Sequence, residues 1–567
     1  MPPKTTCFTR EDFLKEYTFP DEPARDFELN GIQATFASGH PKDWNWETDV
    51  LDFATDLKAK DKGAYKSYHS AISPDQKLLA ISSSEERILI YDIESKELRQ
   101  VLEGAWSLAF RPVVNRDEVV DAEAEDARGK HGKPAYTIVS SISDEAARRG
   151  REENKLILWD LDQHGRVLDE EEAIDSAKFA TKAIDAILPE LRANHEWTKD
   201  FVDASSLHAK FAGVLSKVAA EHRRRHNTVI ANAKMGSSGS TTFSNDGRLL
   251  LYHSRNRTTQ HGLREPDNLP QVVLFDIDEG VEVQRLSGHT DSIMWSGISP
   301  DNKYVASVSW DGTLRMYSAT TGELIWATED SGGQSWAGAF SPDSKHIVWS
   351  SNRGKVVQVH DVVDGRKIST FQETLNNWCR CLKWHPVTPQ IALCVGERAY
   401  IWRPFEGTNG STFQHFVMSD EKGPRRMSEV QKVDWMDDGR LLCLQISDGT
   451  KLVYDTVSNA KELFRRPTGV ISAGVDSGFY GLMEKEGDEN FYISIDGDGK
   501  VRYWRTSVAA YPSWWEKDIN SAPVEKKTFP ETGKYVNITK KSANLTQQKE
   551  TGRDAWAEKG AELWTAE

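Results

Sequence analysis

Short runs in which apolar and polar residues alternate, the pattern of half-buried β-strands, recur along most of this chain. Eight of the runs close on an aromatic residue or His: Tyr91, Trp159, Phe275, Tyr317, His360, Trp402, Tyr454 and Trp504. The intervals are 68, 116, 42, 43, 42, 52 and 50 residues, so the middle of the chain repeats at a period near 42. Such a period means one supersecondary unit copied along the chain, and each copy must stack on its neighbours to bury its apolar face. The clearest copy runs from Leu286 through Ser299-Pro-Asp and Asp311-Gly312 to Trp326. Ser299-Pro-Asp initiates a turn and Asp311-Gly312 makes a tight hairpin, which divides the copy into four short antiparallel strands.

The first turn recurs as Ser73-Pro-Asp, Ser244-Asn-Asp and Ser341-Pro-Asp, and weakens to Arg111-Pro, His385-Pro and Asp437-Asp-Gly. With the Gly288-His289 pair, the Asp-Gly turn and the aromatic-Asp strand endings, residues 66–507 resemble the WD-repeat family. That resemblance implies an all-β propeller, read here as eight blades with seven as the alternative. It also implies a buried hydrogen-bonded set of His289, Asp311 and either Ser307 or Ser309, with Tyr317 replacing the family's usual Trp.

The expected organisation is an N-terminal segment (1–66), a propeller (67–507) interrupted by a helical insertion (169–227), and a Trp-containing tail (508–567). No clear outer strand follows the eighth copy, Asn490 to Arg505, so Ile32 to Ser38 is expected to close the ring. The 68-residue interval carries about 26 extra residues, mainly Val113 to Pro134. The 116-residue interval holds two apolar stripes at helical spacing, from Ile174 to Leu188 and from Ala204 to Val218, separated by Pro189. With the capping pair Asp169 and Glu172, they predict an antiparallel helical hairpin.

In propellers of the resembled family, one face carries the loops from second to third strand and from outer strand to next blade. Ser143 to Asn154, Asp169 to Asn227 and Ser254 to Pro270 are all expected on this top face, and the acidic loop after Arg111 on the opposite one. The three insertions carry Arg148, Arg149 and Arg151, then Arg223, Arg224 and Arg225, then Arg255, Arg257 and Arg264. A basic patch built from them would hold an acidic or phosphorylated partner through bidentate bonds.

A net charge of −16 over 567 residues argues against nucleic-acid binding by the whole surface. No apolar run approaches the ~20 residues that span a bilayer, and five cysteines without CxxC spacing fit a reducing compartment. An intracellular protein, cytoplasmic or nuclear, is therefore expected. Candidate chemistry is sparse. Gly236-Ser-Ser-Gly lacks nucleophile-elbow spacing, Asp496-Gly-Asp-Gly has no closing Glu for calcium, and Cys379 and Cys381 have no partner pair at zinc spacing. No enzyme activity, metal or cofactor is expected.

Counting five residues back from each turn gives Tyr68, Trp106, Met294, Trp336 and Arg380 at one equivalent place, the entrance to the innermost strand. In the resembled family this place, with the residue before the turn Asp (Trp310), borders the top-face rim of the channel. Their types are those enriched at interface centres, and Trp310 is expected to be exposed. The reading is a non-enzymatic scaffold that binds a protein on its top face. The alternatives are a reader of nucleic acid or phosphorylated ligands through the basic loops, or an enzymatic propeller with a channel-borne cofactor.

Overall fold

Four turns share one hydrogen-bonded design that sets where the second strand of a blade begins. Ser73, Ser244, Ser299 and Ser341 each donate through Oγ to the Asp two residues on, at 2.7, 2.5, 2.6 and 2.6 Å. Each Oγ also accepts the backbone N–H five residues on, at 2.8 to 2.9 Å. The intervening residue with positive φ is Gln76, Gly247, Asn302 or Ser344. The Ser therefore satisfies the first N–H of the next strand while the Asp stabilises the Ser.

A computed structural model describes residues 68–505 except 83–86, 113–133, 143–153, 168–226, 237–238, 255–268, 374, 376, 397, 408–410, 418–429, 447–450, 465–477, 484–489 and 498. It also describes 47–56 and short pieces at 7–8, 28–29, 32–36 and 524–525. Among these residues eight antiparallel sheets follow one another as the blades of a propeller. Blades 1 to 7 span 69–103, 105–231, 233–286, 293–327, 338–370, 381–417 and 430–464. Blade 8 takes its first three strands from 479–505.

Second strands such as Leu78–Ser82, Ile391–Val395 and Leu441–Ile446 are buried at every position, because each is covered on both faces by adjoining blades. The core accordingly sits between blades. Val308, Leu314 and Met316 of blade 4 pack with Ile347 and Trp349 of blade 5, and Val348 and Val359 of blade 5 with Leu382 and Trp402 of blade 6. Indole N–H groups stitch the seams: Trp295 donates to the Gly239 carbonyl (3.3 Å), Trp384 to Ala339 (3.0 Å) and Trp435 to Lys383 (3.3 Å).

The fourth strand of blade 8 is Glu47–Asp52, antiparallel to Lys500–Arg505, and not the expected Ile32 to Ser38. Thr35–Phe36 from that stretch lies parallel to Ala460–Phe464 as a fifth strand on blade 7. The difference has a geometric cause, since 53–56 must continue into blade 1. There the Phe53 ring packs edge-on against Tyr68, and Tyr91 donates to Asp56 at 2.6 Å.

The long insertion is also placed differently from expectation. Segment 168–226 joins the third strand of blade 2, Lys155–Leu161, to its outer strand, Thr228–Ala231, so it leaves and returns on the face opposite the second-to-third loops. The tight turn after Leu161 brings Val167 back to bridge Leu161, which mimics the start of an outer strand in sequence. The connections 143–153 and 255–268 do join second to third strands, and 113–133 joins first to second. The expected helical hairpin lies outside the described residues, as do all nine Arg of the expected patch. Topology nonetheless separates the Arg223–Arg225 connection from the other two.

Candidate protein-interaction surface

Blade 4 carries the full polar relay. His289 Nδ1 lies 2.7 Å from Asp311 Oδ2 and Nε2 lies 2.7 Å from Ser307 Oγ, so Ser307 is the serine of the set. Ser309 instead donates to the Asp291 carbonyl at 2.8 Å. Tyr317 occupies the place expected for Trp, accepts from Ser307 and donates to the Ser287 carbonyl at 2.9 Å. Burial alone would raise the Asp311 carboxyl, but bonds from His289, Thr313 and the Thr290 N–H hold it well below the usual carboxylate range. The relay fixes the Asp311-Gly312 hairpin, where Gly312 at φ +85° has no room for a Cβ beside Asp330.

That hairpin is the first part of a continuous ridge on the top face. The Ser331 N–H bonds the Gly312 carbonyl (3.1 Å), tying the connector between blades 4 and 5 to the blade 4 hairpin. In blade 5, the Arg353 N–H bonds Gln334 (2.7 Å), and the Cys379 N–H of the next connector bonds Gly354 (2.8 Å). On this frame the rings stack. Trp310 meets Trp336 at 5.4 Å between centroids, Trp336 meets Trp378 at 4.7 Å, and the Arg380 guanidinium lies 4.9 Å from Trp336 and 5.0 Å from Trp378.

Trp336 is the floor of the stack, only 4% exposed, while Trp310, Trp378 and Arg380 are half-buried above it. Trp310 is thus less open than its turn position predicts, because the next blade supplies Trp336 to cover one face. The indole N–H groups of Trp310 and Trp336 are buried and have no hydrogen-bond partner among the described residues. Met294 is half-buried and is the extra residue of a β-bulge between Ile293 and Trp295. A register shift also falls between Ala105 and Leu108 at the start of blade 2. Tyr68, 3% exposed, belongs to the seam between blades 8 and 1.

The structure therefore brings Trp310, Trp336 and Arg380 together and leaves Tyr68 and Trp106 on other blades. Counting from the turns missed Trp378, which sits in a connector rather than on a strand. Its signal was its place two residues before Arg380. Among the described residues no group of three or more His, Cys, Asp or Glu is arranged to hold a metal ion. No helix among them is long and apolar enough to cross a membrane.

The family description "WD domain, G-beta repeat" matches residues 280–318, which cover the outer strand of blade 3 and the first three strands of blade 4. Over 230 residues the chain is 21% identical to the intraflagellar transport protein 122 homolog of Xenopus tropicalis, covering 41% of this chain and 13% of that protein. Over 73 residues it is 33% identical to an uncharacterized WD repeat-containing protein of Synechocystis sp., covering 13% of this chain and 21% of that one. The matches thus span a small part of either relative. The crystal structure of Saccharomyces cerevisiae Sqt1 superposes with a TM-score of 0.50 at 10% identity, over 82% of this chain and all of that one. The eight-bladed ring and the His289–Asp311–Ser307 relay agree with these matches: the chain is a WD-repeat β-propeller.

Proposed function

We propose that this chain is a non-enzymatic scaffold whose protein partner docks on the top face, over the ridge of blades 4 to 6. The observation that supports this most is the stack of Trp310, Trp336, Trp378 and Arg380. Trp and Arg dominate the binding energy of protein interfaces, and anchors already held by neighbours lose little conformational freedom on docking. Met294 adds an adaptable apolar contact beside them. The guanidinium makes an acidic or phosphorylated segment next to an apolar one the complementary partner surface.

The test compares proteins that co-purify with the wild-type chain and with a Trp378→Ala/Arg380→Glu variant whose circular dichroism is unchanged. Specific partners should be lost from the ridge variant, since an anchor worth ~2 kcal/mol corresponds to about thirtyfold in affinity. They should be retained by Val363→Asp, an exposed position on the opposite-face turn of blade 5. Partners that survive the ridge substitutions, or that depend on Val363 instead, would overturn the assignment.

A further inference from the structure

Two cysteines face each other across a β-ladder of blade 6, with Cys379 close by in the core shared with blade 5. Cys381 on the innermost strand is the direct antiparallel partner of Cys394 on the second strand. Cα atoms so paired lie about 4.5–5.5 Å apart, inside the range a disulfide requires. The Cys381 thiol donates to the Val433 carbonyl of blade 7 at 3.6 Å. The sulfur of Cys381 also receives the Val433 N–H from blade 7 at 3.5 Å.

The two positions differ in access and in charge. On the innermost strand Cys381 and Lys383 are half-buried and alternate with Leu382 and Trp384, which pack toward blade 5, so they face blade 7. Cys394 is 3% exposed and Cys379 is fully buried. Beside Cys381, the Lys383 and Lys432 ammoniums share the single carboxylate of Asp434, at 3.4 and 2.9 Å. A half-buried sulfur within reach of a backbone N–H and near an ammonium is an environment that favours thiolate. The Cys394 contact and the Lys383 charge lower the Cys381 pKa, against burial and Asp434, while its partnership with Cys381 raises that of Cys394. Burial pushes the Cys379 and Cys443 thiols up.

We propose that Cys381 and Cys394 form a peroxide-responsive dithiol in the inner wall of blade 6, with Cys381 attacking and Cys394 resolving. The Cys381 thiolate attacks one peroxide oxygen, the O–O bond breaks, and hydroxide leaves to give the sulfenic acid. The Cys394 sulfur then displaces its hydroxyl group, losing its own proton, to yield a disulfide and water. Overall two thiols are oxidised by two electrons, and one hydrogen peroxide is reduced to two waters. Closing the bond draws the Cys381 sulfur toward the second strand and away from the Val433 N–H, loosening one tie between blades 6 and 7.

The full chain is treated with hydrogen peroxide, blocked with an alkylating reagent, and mapped after tryptic digestion. Arg380 and Lys383 place Cys379, Cys381 and Cys394 on separate peptides, so each pairing is distinguishable. The Cys381 peptide should be joined to the Cys394 peptide, and before oxidation Cys381 should alkylate at least about tenfold faster than Cys379 or Cys443. In Cys394→Ser, Cys381 should instead be trapped by dimedone as the sulfenic acid. A Cys379 cross-link, or slow alkylation of Cys381 with no link to Cys394, would overturn the proposal. The wild-type map decides the matter even if the variant fails to fold.

Discussion

Asp311 shows how much of a blade one side chain can hold. Its carboxylate, 7% exposed, accepts from His289, Thr313 and the Thr290 N–H, and the His passes the constraint to Ser307 and Tyr317. Asp311→Ala should cost about 2–3 kcal/mol in urea unfolding at pH 7, because the buried donors lose their acceptor. The sign of the pH dependence follows from the depressed carboxyl. Its contribution is complete above the unfolded pKa near ~3.9 and is lost as pH falls toward the lower folded value. The gap between wild type and Asp311→Ala should therefore narrow between about pH 5 and pH 3. A gap that stays constant there would mean that the charge of Asp311 does not stabilise the fold. Blade 8 fills the corresponding region differently, with Trp504 donating to Ser494 at 3.0 Å and Arg502 to Asp496 at 2.9 Å, so the relay is one solution among several.

For strands and turns, legibility in the sequence depended on whether a structure is made locally. The Ser-Pro-Asp turns were readable because the Ser and Asp side chains bond within five residues of themselves. Ser299→Ala removes both the bond to Asp301 and the acceptor for the Tyr304 N–H, and is expected to cost about 1–2 kcal/mol. Packing between blades was not readable. Gly338 opens blade 5 against the face of Trp295 in blade 4, where an added Cβ would lie 2.6 Å from the ring. Gly338→Ala should destabilise by about 1–3 kcal/mol, and thermal melts that show no loss would place the ring elsewhere. Outer strands were the hardest to see. Val281–Leu286 and Thr228–Ala231 are mostly exposed or half-buried, so such strands carry little apolar pattern, and the sequence does not show that the long insertion precedes an outer strand of blade 2. Turn counting found Trp336 and Arg380 but not Trp378, which lies two residues upstream of the counted place.

At the scale of the whole ring, closure rests on a strand whose sequence, Glu-Thr-Asp-Val-Leu-Asp, hardly advertises itself. Glu47–Asp52 pairs along Lys500–Arg505, the Phe53 and Ala54 N–H groups both bond the Gly499 carbonyl, and Asp56 receives the Tyr91 hydroxyl of blade 1. Phe53 then joins a cluster in which Ile493, Val501 and Tyr503 of blade 8 meet Leu79 and Ile81 of blade 1. Two truncations separate this role from that of the upstream segment. Among the described residues, removal of 1–40 takes away the two-residue fifth strand on blade 7 and the short pieces before it, and it should leave the melting temperature nearly unchanged. Removal of 1–56 uncovers the edge of blade 8 and empties the Phe53 site. It should lower the melting temperature by several degrees and promote association through the open edge. Adding residues 41–66 as a separate peptide should reverse both effects. If instead the 1–40 deletion is the damaging one, the ring is held shut by the blade 7 contact and not by Glu47–Asp52.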